Sequence, residues 1–424
     1  MYTQVTMSNS VEGRMWDVIV IGGGPAGMMA AATAGARGKR VLLLEKNPSL
    51  GKKLLITGGG RCNVTNNKPD IRTMQAQYKG AGKFLFSLFA THGVRESIDW
   101  FASRGVTLKE ENEGRLFPTT NSARTIFDTL VAEMKKTGVV VQTKAGVKGV
   151  KRDKKSGAFF VTLLSGETLR AHTCIIATGG TSRPETGATG DAYQWLKSLG
   201  HTVVPNSFAL VPLALKTGWT KKLAGITLTD IKLTIFADGK KHSAHDGKVL
   251  FTHVGITGPT VLNLSKTVGE LLSHSDVTLM LDLFPKRDAG EFKTYLRQTL
   301  TEHSNKKLRN VLSEILPAAL ATAALHELSL SGDMPCHSVS TEDRTKLALF
   351  LKAIPLAVKG LLGEDKAIVS AGGVLLTELN MKTMESSIVP RLYIVGDLLN
   401  IDRPSGGYSL QLCWSTGYAA GSNA

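Results

Sequence analysis

The chain has 424 residues, of which 42% are hydrophobic and 20% charged, and its formal net charge is +16. This length suffices for two or three domains with a large core, and no apolar run reaches the roughly 18 residues that a membrane-spanning helix needs. The four cysteines are far apart and form no CxxC pair, which argues against a disulfide framework or a zinc site and favours a reducing, cytoplasmic location.

The basic excess lies mainly in the first part of the chain. Residues 1–190 contain 27 Lys and Arg against 14 Asp and Glu. Plain solubility is one explanation, and a polyanionic partner such as RNA is the other. The six basic residues between Lys144 and Lys155 are more typical of a solvated hairpin than of a binding patch.

The first motif, VIGGGPAGMMAAA, predicts a buried strand, a glycine turn and a helix. The turn has the spacing Gly22-x-Gly24-x-x-Gly27. The first glycine permits the tight turn, the second lets backbone approach a pyrophosphate, and the third lets the helix pack closely on the strand. The free N–H groups and the positive dipole end of the helix would then face phosphates.

An acidic residue follows the second strand predicted by this motif. The strand Val41–Leu44 ends at Glu45, which is 21 residues after Gly24 and suitably placed to bond ribose hydroxyls. Strand, turn, helix and acid together predict a dinucleotide-binding unit. An ordinary βαβ unit would not need all three glycines.

The next stretch, LGKKLLITGGGRCNVTN, contains the glycine run Gly58–Gly60. Glycine runs occur where backbone bends sharply or approaches another group closely, so we expect this run to pass beside the bound cofactor. Arg61 and Asn63 would direct polar groups toward the cofactor, although Arg61 could instead form a structural ion pair. Cys62 is expected to be a buried apolar side chain and not a redox thiol, because no partner cysteine is near. Lys53 either neutralises phosphates or lies on the surface.

The middle of the chain predicts a β-rich insert followed by helices. Asp238-Gly239 is a strong hairpin signal within alternating segments. From Pro285 the pattern becomes helical, and the residues from Leu308 to Leu316 include an apolar face at helical spacing. We therefore predict four segments: 1–190 as the first part of the nucleotide-binding domain, 191–284 as the β-rich insert that carries the substrate site, 285–365 as a helical subdomain, and 366–424 as the return segment.

One histidine in the insert is a candidate proton donor. His253 lies in LFTHVGITGP, between a predicted strand end and a Gly-Pro turn. A histidine can protonate a substrate near neutral pH, although a loop histidine with only structural hydrogen bonds fits the pattern as well. His242 and His245 have a spacing unlike that of metal ligands, so no metal site is expected.

Two later segments favour FAD over NAD. TCIIATGGTSRP places a strand before Thr178-Gly179-Gly180, a second return of backbone to the cofactor region. RLYIVGDLLNIDRPSGGYSLQ places a strand before Gly396-Asp397, and then a glycine pair and a helix that begins near Gly407. In flavoproteins with two dinucleotide-binding folds, such an aspartate bonds the ribityl chain, and such a helix stabilises the anionic reduced flavin. A nicotinamide enzyme has no use for this third contact.

These motifs, together with GRLFPTTNSARTIFDTL, SAGGV and TMESS, resemble the bacterial YhiN or BaiN-like flavoproteins, also called aminoacetone-oxidase-family FAD-binding enzymes. The resemblance implies an α/β fold with a Rossmann-like FAD-binding domain, interrupted by a β-rich insert and a small helical subdomain. Near the C-terminus the family usually has GE-x-x-D and GGYN. This chain has Asp397, Asn400 and Ser409 there, which should preserve cofactor binding but puts any acid role at position 400 in doubt.

The motifs define the expected site residues. The predicted FAD-binding residues are Gly22, Gly24, Pro25, Ala26, Gly27, Glu45, Lys46, Lys53, Gly59, Gly60, Arg61, Cys62, Asn63, Val147, Thr178, Gly179, Gly180, Gly396, Asp397, Gly406, Gly407, Tyr408, Ser409 and Leu410. The predicted catalytic residues are Arg61, His253 and Tyr408.

Three functions remain compatible with the sequence. The first is a FAD-dependent oxidoreductase that transfers hydride at flavin N5 to or from a small organic molecule. The second is a flavoenzyme that modifies bases in ribosomal or transfer RNA, and the third is a non-catalytic flavin-binding protein. Only one complete dinucleotide fingerprint is present, so NAD(P)H would act as a transient reductant without a resident site, or else the substrate reduces FAD and oxygen reoxidises it. No membrane partner is expected.

Overall fold

The structure is a computed structural model that describes residues 15–68, 70–362 and 369–424. Contacts within the chain define two compact units. One unit combines residues 1–208 with 368–424, and the other consists of residues 209–367.

The first unit begins with a long α/β segment. Its strands are β1 (Met15–Ile21), β2 (Val41–Leu44), β3 (Thr65–Asn66), β4 (Leu108–Glu111), β5 (Arg115–Pro118), β6 (Val140–Gln142), β7 (Val147–Arg152), β8 (Phe159–Leu163), β9 (Thr168–Ile176) and β10 (Val203–Ala209). Its helices are α1 (Pro25–Ala36), α2 (Lys52–Ile56), α3 (Ile71–Gln75), α4 (Gly82–Thr91), α5 (Val94–Ala102), α6 (Ala123–Lys136) and α7 (Asp191–Ser198).

The second unit follows, and the chain then returns to the first. The strands of the second unit are β11 (Leu213–Leu215), β12 (Thr227–Ala237), β13 (Lys240–Phe251), β14 (Gly255–Thr257), β15 (Val277–Asp282) and β16 (Ile354–Leu361). Its helices are α8 (Pro259–Leu272), α9 (Ala289–Glu302), α10 (Leu308–Ile315), α11 (Ala318–Glu327) and α12 (Thr341–Lys352). The return segment contains β17 (Val369–Val374), β18 (Leu379–Asn380), β19 (Glu385–Ser386), β20 (Leu392–Ile394) and α13 (Tyr408–Asn423).

The main sheet of the first unit is a parallel Rossmann-like sheet with an antiparallel extension. Its strands follow the order β18-β19-β20-β9-β1-β2-β6, and β8 joins β9 to β7. The pairs from β20 to β6 are parallel, as in the register of Val18 with Val41 on one side and with Thr173 on the other. Because carboxyl ends of parallel strands meet at one edge, the residues that follow β1, β2, β9 and β20 are brought together there. This sheet confirms the predicted fold class.

Two helices that are distant in sequence pack closely beside this sheet. A β-carbon added at Gly417 of α13 would lie 2.5 Å from the carbonyl oxygen of Ala26 in α1. At Gly421 it would lie 2.4 Å from the carbonyl oxygen of Ala30. Small residues along both helices therefore permit a backbone-to-backbone approach that larger side chains would block.

The second unit is built around a closed β-barrel of strand order β11-β14-β13-β12-β15-β16. The barrel confirms the predicted β-rich insert, and the Asp238-Gly239 hairpin joins β12 to β13 as predicted, with φ values of 47° and 76°. Helices α9 to α12 share one hydrophobic core with the barrel strands.

The boundaries of the two compact units differ from the boundaries of the predicted segments. Helix α7 belongs to the first compact unit and the second compact unit begins at residue 209, whereas the predicted insert begins at residue 191. The predicted helical segment 285–365 contains β16, which pairs with β11 and β15 and thereby closes the barrel. Because β16 follows these helices in the chain and is a strand of the barrel, the helices lie within the same compact unit as the barrel. The four-part division itself stays a prediction.

Within the described residues, no helix is both long enough and apolar enough to span a bilayer.

Candidate FAD site

The glycine turn after β1 has three different local environments. Gly22 has a φ of 110°, and a β-carbon there would lie 2.5 Å from the carbonyl oxygen of Ala177. A β-carbon at Gly27 would lie 1.9 Å from the carbonyl oxygen of Gly22, whereas one at Gly24 would meet no atom within 4 Å. The first and third glycines are thus required by packing, and the second faces open space. This geometry suits the predicted roles in a dinucleotide turn.

A pocket lies at the carboxyl edge of the parallel sheet, within the first unit. It is lined by the glycine turn, by the residues that follow β2, β9 and β20, and by the first turn of α13. The predicted residues among its lining are Gly22, Gly24, Pro25, Ala26, Glu45, Lys46, Lys53, Val147, Thr178, Gly179, Gly396, Asp397, Ser409 and Leu410. The predicted residues outside this lining are Gly27, Gly59, Gly60, Arg61, Cys62, Asn63, Gly180, Gly406, Gly407 and Tyr408.

Glu45 is buried and anchors the glycine turn. Its Oε2 accepts a hydrogen bond of 2.8 Å from the backbone N–H of Gly23. Its Oε1 accepts bonds of 2.7 and 2.8 Å from the backbone and side-chain nitrogens of Asn47. A carboxylate has about four acceptor positions, so one remains for a ribose hydroxyl. Asn47 also lines the pocket and was missed by the sequence analysis, although its place two residues after Glu45 could have indicated it.

Lys46 is held by an acidic neighbour at the pocket wall. Its Nζ lies 2.8 Å from Oδ2 of Asp191 and also donates to Thr189 Oγ1. Burial raises the pKa of Asp191, but its hydrogen bonds to Lys46 and Thr189 outweigh burial and leave the pKa below its usual value. The pair joins the start of α7 to the residue after β2.

Asp397 lies in a largely buried charge cluster in the pocket lining. Its Oδ1 is paired with the guanidinium of Arg403, and its Oδ2 lies 3.3 Å from Nζ of Lys53. Lys53 also donates a 2.6 Å hydrogen bond to Ser182 Oγ. Burial raises the pKa of Asp397, yet the charges of Arg403 and Lys53 more than compensate and lower it below the usual value. Asp397 is therefore an ionised acceptor that faces the pocket.

Arg403 was not predicted as a site residue. Its side chain is fully buried, and besides Asp397 it bonds Ser409 Oγ at 2.9 Å and the carbonyl oxygen of Ile401 at 2.8 Å. The sequence gives no local signal for this burial, because an arginine in a Pro- and Gly-rich turn is ordinarily exposed.

The glycine run adopts a left-handed path beside the pocket. Gly58, Gly59 and Gly60 have φ values of 58°, 68° and 86°. A β-carbon at Gly59 would meet nothing within 4 Å, and the run follows Thr57, which lines the pocket. The open space suits a close approach by another group, so the predicted contact with FAD stays a prediction.

Arg61 forms the structural ion pair that the sequence left as an alternative. Its Nη2 is paired with Oε1 of Glu111, and its guanidinium lies 4.1 Å from the ring centre of Phe117. This hydrogen bond is the largest influence on Glu111 and lowers the pKa of its carboxyl group. In this conformation the charge of Arg61 is largely matched within the protein, so its catalytic role stays a prediction.

The two residues after Arg61 differ in character. Cys62 is fully buried, and burial raises the pKa of its thiol to about 12, as expected for a structural cysteine and not for a redox thiol. Asn63 has a buried Oδ1 without a hydrogen-bond partner among the described residues. An unpaired buried acceptor suits a donor group on a bound ligand.

Tyr408 lies inside the protein at the start of α13. Its ring is 95% buried and packs edge-on against Tyr78 with centroids 6.1 Å apart, and burial raises its pKa to about 12. Gly407 precedes it with a φ of 101°, and a β-carbon there would lie 2.4 Å from the carbonyl carbon of Thr65. Asn66 Nδ2 donates to the carbonyl oxygen of Gly406 at 3.0 Å. These contacts fix the entry into α13, and a flavin contact of Tyr408 stays a prediction.

His253 belongs to the second unit. It lies between β13 and β14 at the barrel end, and its side chain is exposed. Its role as a proton donor stays a prediction.

The donor set of the pocket fits FAD. Gly24 leaves room for a pyrophosphate, Glu45 retains an acceptor position, and Asp397 presents an ionised carboxylate. Outside the pocket lining, Asn63 has a buried acceptor that nothing in the described chain satisfies.

Comparison with known proteins agrees with this site. The family model described as the HI0933-like protein Rossmann domain matches residues 16–423. The chain is 32% identical to the ribosomal RNA dihydrouridine synthase of Escherichia coli over 95% of this chain and 96% of that one. It is 30% identical to the 3-dehydro-bile acid delta(4,6)-reductase of Clostridium scindens over 95% of this chain and 97% of that one.

Solved structures share the fold at much lower identity. A 3-ketosteroid-delta4-(5alpha)-dehydrogenase from Rhodococcus jostii has a TM-score of 0.53 and 16% identity, and the match covers 99% of this chain and 98% of that one. A 3-ketosteroid delta1-dehydrogenase from Sterolibacterium denitrificans has a TM-score of 0.55 and 14% identity, and the match covers 96% and 99%. The fold, the site and the full-length relatives lead to one conclusion: the chain belongs to the HI0933-like Rossmann family and is a FAD-dependent oxidoreductase.

Proposed function

We propose that this enzyme reduces a carbon–carbon double bond conjugated to a carbonyl group, in a small organic substrate. The observation that carries the proposal is the shared chemistry of two relatives that match the whole chain. A delta(4,6)-reductase and a dihydrouridine synthase both saturate a ring double bond next to a carbonyl group, although their substrates differ greatly in size. The type of reaction, and not a particular substrate, is what such different enzymes have in common.

The residues of the pocket would bind and orient the cofactor. Reduced FAD, when bound, supplies a hydride from N5. Glu45 would bond ribose hydroxyls, the turn after β1 would donate N–H groups to phosphates, and Asp397 would accept from the ribityl chain. The N-terminus of α13 would favour negative charge near the flavin end of the site.

A proton must also reach the substrate carbon next to the one that accepts hydride. We propose His253 as its donor, because its imidazole is exposed to solvent and can be reprotonated from water. His253→Ala should remove one limb of the pH–rate profile, whereas His242→Ala, another exposed histidine of the second unit, should leave the profile unchanged. A wild-type profile in His253→Ala would count against this role.

The sequence contains one complete dinucleotide fingerprint, which we assign to FAD. We therefore propose that NADH or NADPH supplies the electrons by binding transiently, without a resident site of its own. We also propose a cytoplasmic location, since the four cysteines are free, buried thiols.

The decisive experiment mixes the holoprotein with electron donors and acceptors under nitrogen in a stopped-flow instrument. We expect NADH or NADPH to bleach the flavin, and a conjugated enone to restore its colour without oxygen. An amine that bleaches the flavin, together with enones that never restore it, would contradict a reductase and indicate an oxidase. Acid precipitation should release one FAD per chain into the supernatant, since no residue is expected to hold the flavin covalently.

A second candidate substrate is a base in RNA, and the charge distribution favours it. On the outer face of the β7–β8–β9 meander, Lys151, Phe160 and Arg170 stand side by side in register. The guanidinium of Arg170 lies 5.5 Å from the ring centre of Phe160, and both basic side chains are exposed. Cations beside an aromatic ring on a sheet surface suit phosphates and stacked bases. We refer to these three residues as the basic face.

A further inference from the structure

Arg403 combines complete burial with contacts to two pocket-lining residues. Its Nε donates to Ser409 Oγ at 2.9 Å, and its Nη2 is paired with Oδ1 of Asp397. Asp397 and Ser409 line the pocket, whereas Arg403 does not. Any positioning effect of Arg403 on a ligand in the pocket therefore passes through these two side chains.

The contacts leave Asp397 little freedom. One carboxylate oxygen is engaged by Arg403 and the other by Lys53, so rotation of the carboxylate would break an ion pair. Planar guanidinium groups bind through fixed N–H directions, which an ammonium group cannot reproduce. A fixed carboxylate can accept a ligand hydroxyl without first losing conformational entropy.

The cluster also has an excess of positive charge. Two cations surround one carboxylate, and the cluster lies beside the start of α13, where the helix dipole is positive. In such a poorly solvated position, positive charge favours an anionic ligand or an anionic reduced cofactor.

We propose that Arg403 is a positioning residue of the FAD site, which holds Asp397 and Ser409 in the orientation that binds the cofactor and which makes the reduced flavin easier to form. The proposal rests on the FAD assignment made above. It assigns to Arg403 a role that the binding motifs do not include.

The test is a double-mutant cycle that measures FAD binding to apoprotein. We expect Arg403→Met and Asp397→Asn each to weaken FAD binding roughly tenfold or more. If Arg403 acts through Asp397, the double variant should bind FAD about as weakly as the weaker single variant, because removing one partner already abolishes the orientation. Arg403→Lys keeps the positive charge but loses the planar set of N–H donors, so it should also bind FAD more weakly than the wild type. It keeps the test valid if Arg403→Met fails to fold.

A second readout is the midpoint potential of the bound flavin. It should fall in Arg403→Met and stay closer to the wild-type value in Arg403→Lys, which retains the charge. A purely structural arginine would not shift the potential.

Arg104 provides a matched control. It pairs with the buried Glu133 at 2.7 Å and stacks on Trp100, in the same unit but outside the pocket lining. Arg104→Met should lower thermal stability and leave the FAD dissociation constant within about twofold of wild type. The proposal is overturned if folded Arg403 variants bind FAD as tightly as the wild type. It is also overturned if the losses of binding free energy in Arg403→Met and Asp397→Asn simply add in the double variant. Failure of wild-type apoprotein to bind FAD would instead refute the cofactor assignment.

Discussion

At the scale of single residues, Glu45 has two tasks that a substitution would separate. Its carboxylate anchors the glycine turn through Gly23, accepts two further bonds from Asn47, and has one acceptor position left for a ligand. Glu45→Ala should weaken FAD binding by roughly 1.5–3 kcal/mol, because a charge-assisted hydrogen bond is lost, and should also lower the stability of the apoprotein. Fluorescence titration with FAD and thermal unfolding measure the two effects.

Glu45→Gln is the informative companion variant. Its amide retains one oxygen acceptor for the turn but loses the negative charge, so the apoprotein should be more stable than Glu45→Ala while FAD binding stays weak. Equal FAD affinity in the folded Glu45→Ala variant and the wild type would argue against the ribose contact.

A second residue-scale prediction concerns pH. His92 is buried and stacked on Tyr418, its Nε2 has no hydrogen-bond partner among the described residues, and burial lowers its pKa to about 4. In the unfolded chain the imidazole of His92 takes up a proton near pH 6.5, whereas in the folded protein it stays neutral at that pH. Stability should therefore fall as pH drops from about 6.5 to about 4, by up to about 3 kcal/mol.

Denaturant unfolding of apoprotein across this pH range is the measurement. His92→Phe keeps an aromatic ring against Tyr418 and has no proton to gain, so its stability should depend less on pH than that of the wild type. Parallel pH curves for the two proteins would show that the imidazole does not titrate as its burial implies.

At the scale of elements, the crossing of α1 and α13 depends on glycine. Gly421→Ala would place a β-carbon 2.4 Å from the carbonyl oxygen of Ala30, and neither helix backbone can move away cheaply. We expect a loss of roughly 1–3 kcal/mol in unfolding free energy, the cost typical of overpacking. Gly290→Ala in α9 is the control, since its β-carbon would meet only the Asp288 side chain at 3.3 Å. An unchanged melting temperature in Gly421→Ala would contradict this close packing.

The sequence predicts elements best where the signal is local. The strand, glycine turn and helix around Gly22 were predicted from adjacent residues, as was the hairpin at Asp238. The apolar face that begins at Leu308 predicted α10, which ends at Ile315 just before Pro317. Side-chain pairs that join distant segments were not predictable in this way. Arg61 meets Glu111 and Arg403 is buried because of tertiary packing, for which the flanking sequence has no pattern.

At the scale of the whole molecule, the order of segments along the chain indicated a β-rich insert and a helical part but not that the two form one compact unit. A barrel closed by a strand that follows four helices cannot be inferred from a run of strands and then a run of helices. The first unit was more accessible, because successive strand ends at one sheet edge are implied by parallel topology alone.

The net charge of +16 leads to the last prediction, which concerns RNA. If the basic face contacts phosphates, the logarithm of the binding constant should fall linearly with the logarithm of salt concentration, by roughly 0.7–0.9 per contact. Replacing Lys151 and Arg170 by Gln should reduce the slope by roughly 1.4–1.8, since two contacts are lost.

Non-specific attraction of RNA depends on the total charge of the protein, whereas a substrate interaction depends on where the basic residues lie. Lys135 and Lys136, exposed at the end of α6, provide a matched pair with the same change of charge. Equal slopes for the two double variants would show that RNA binding depends only on the total charge of the protein.

Mass spectrometry of ribosomal and transfer RNA nucleosides from a strain that lacks this protein decides the function. A reduced nucleoside that is absent there, and that is restored by the wild type and the α6 variant but not by the basic-face variant, would make an RNA base the substrate. An unchanged nucleoside inventory would leave the small conjugated carbonyl compound as the substrate. The basic surface would then contribute to solubility or to non-specific RNA binding and not to the reaction.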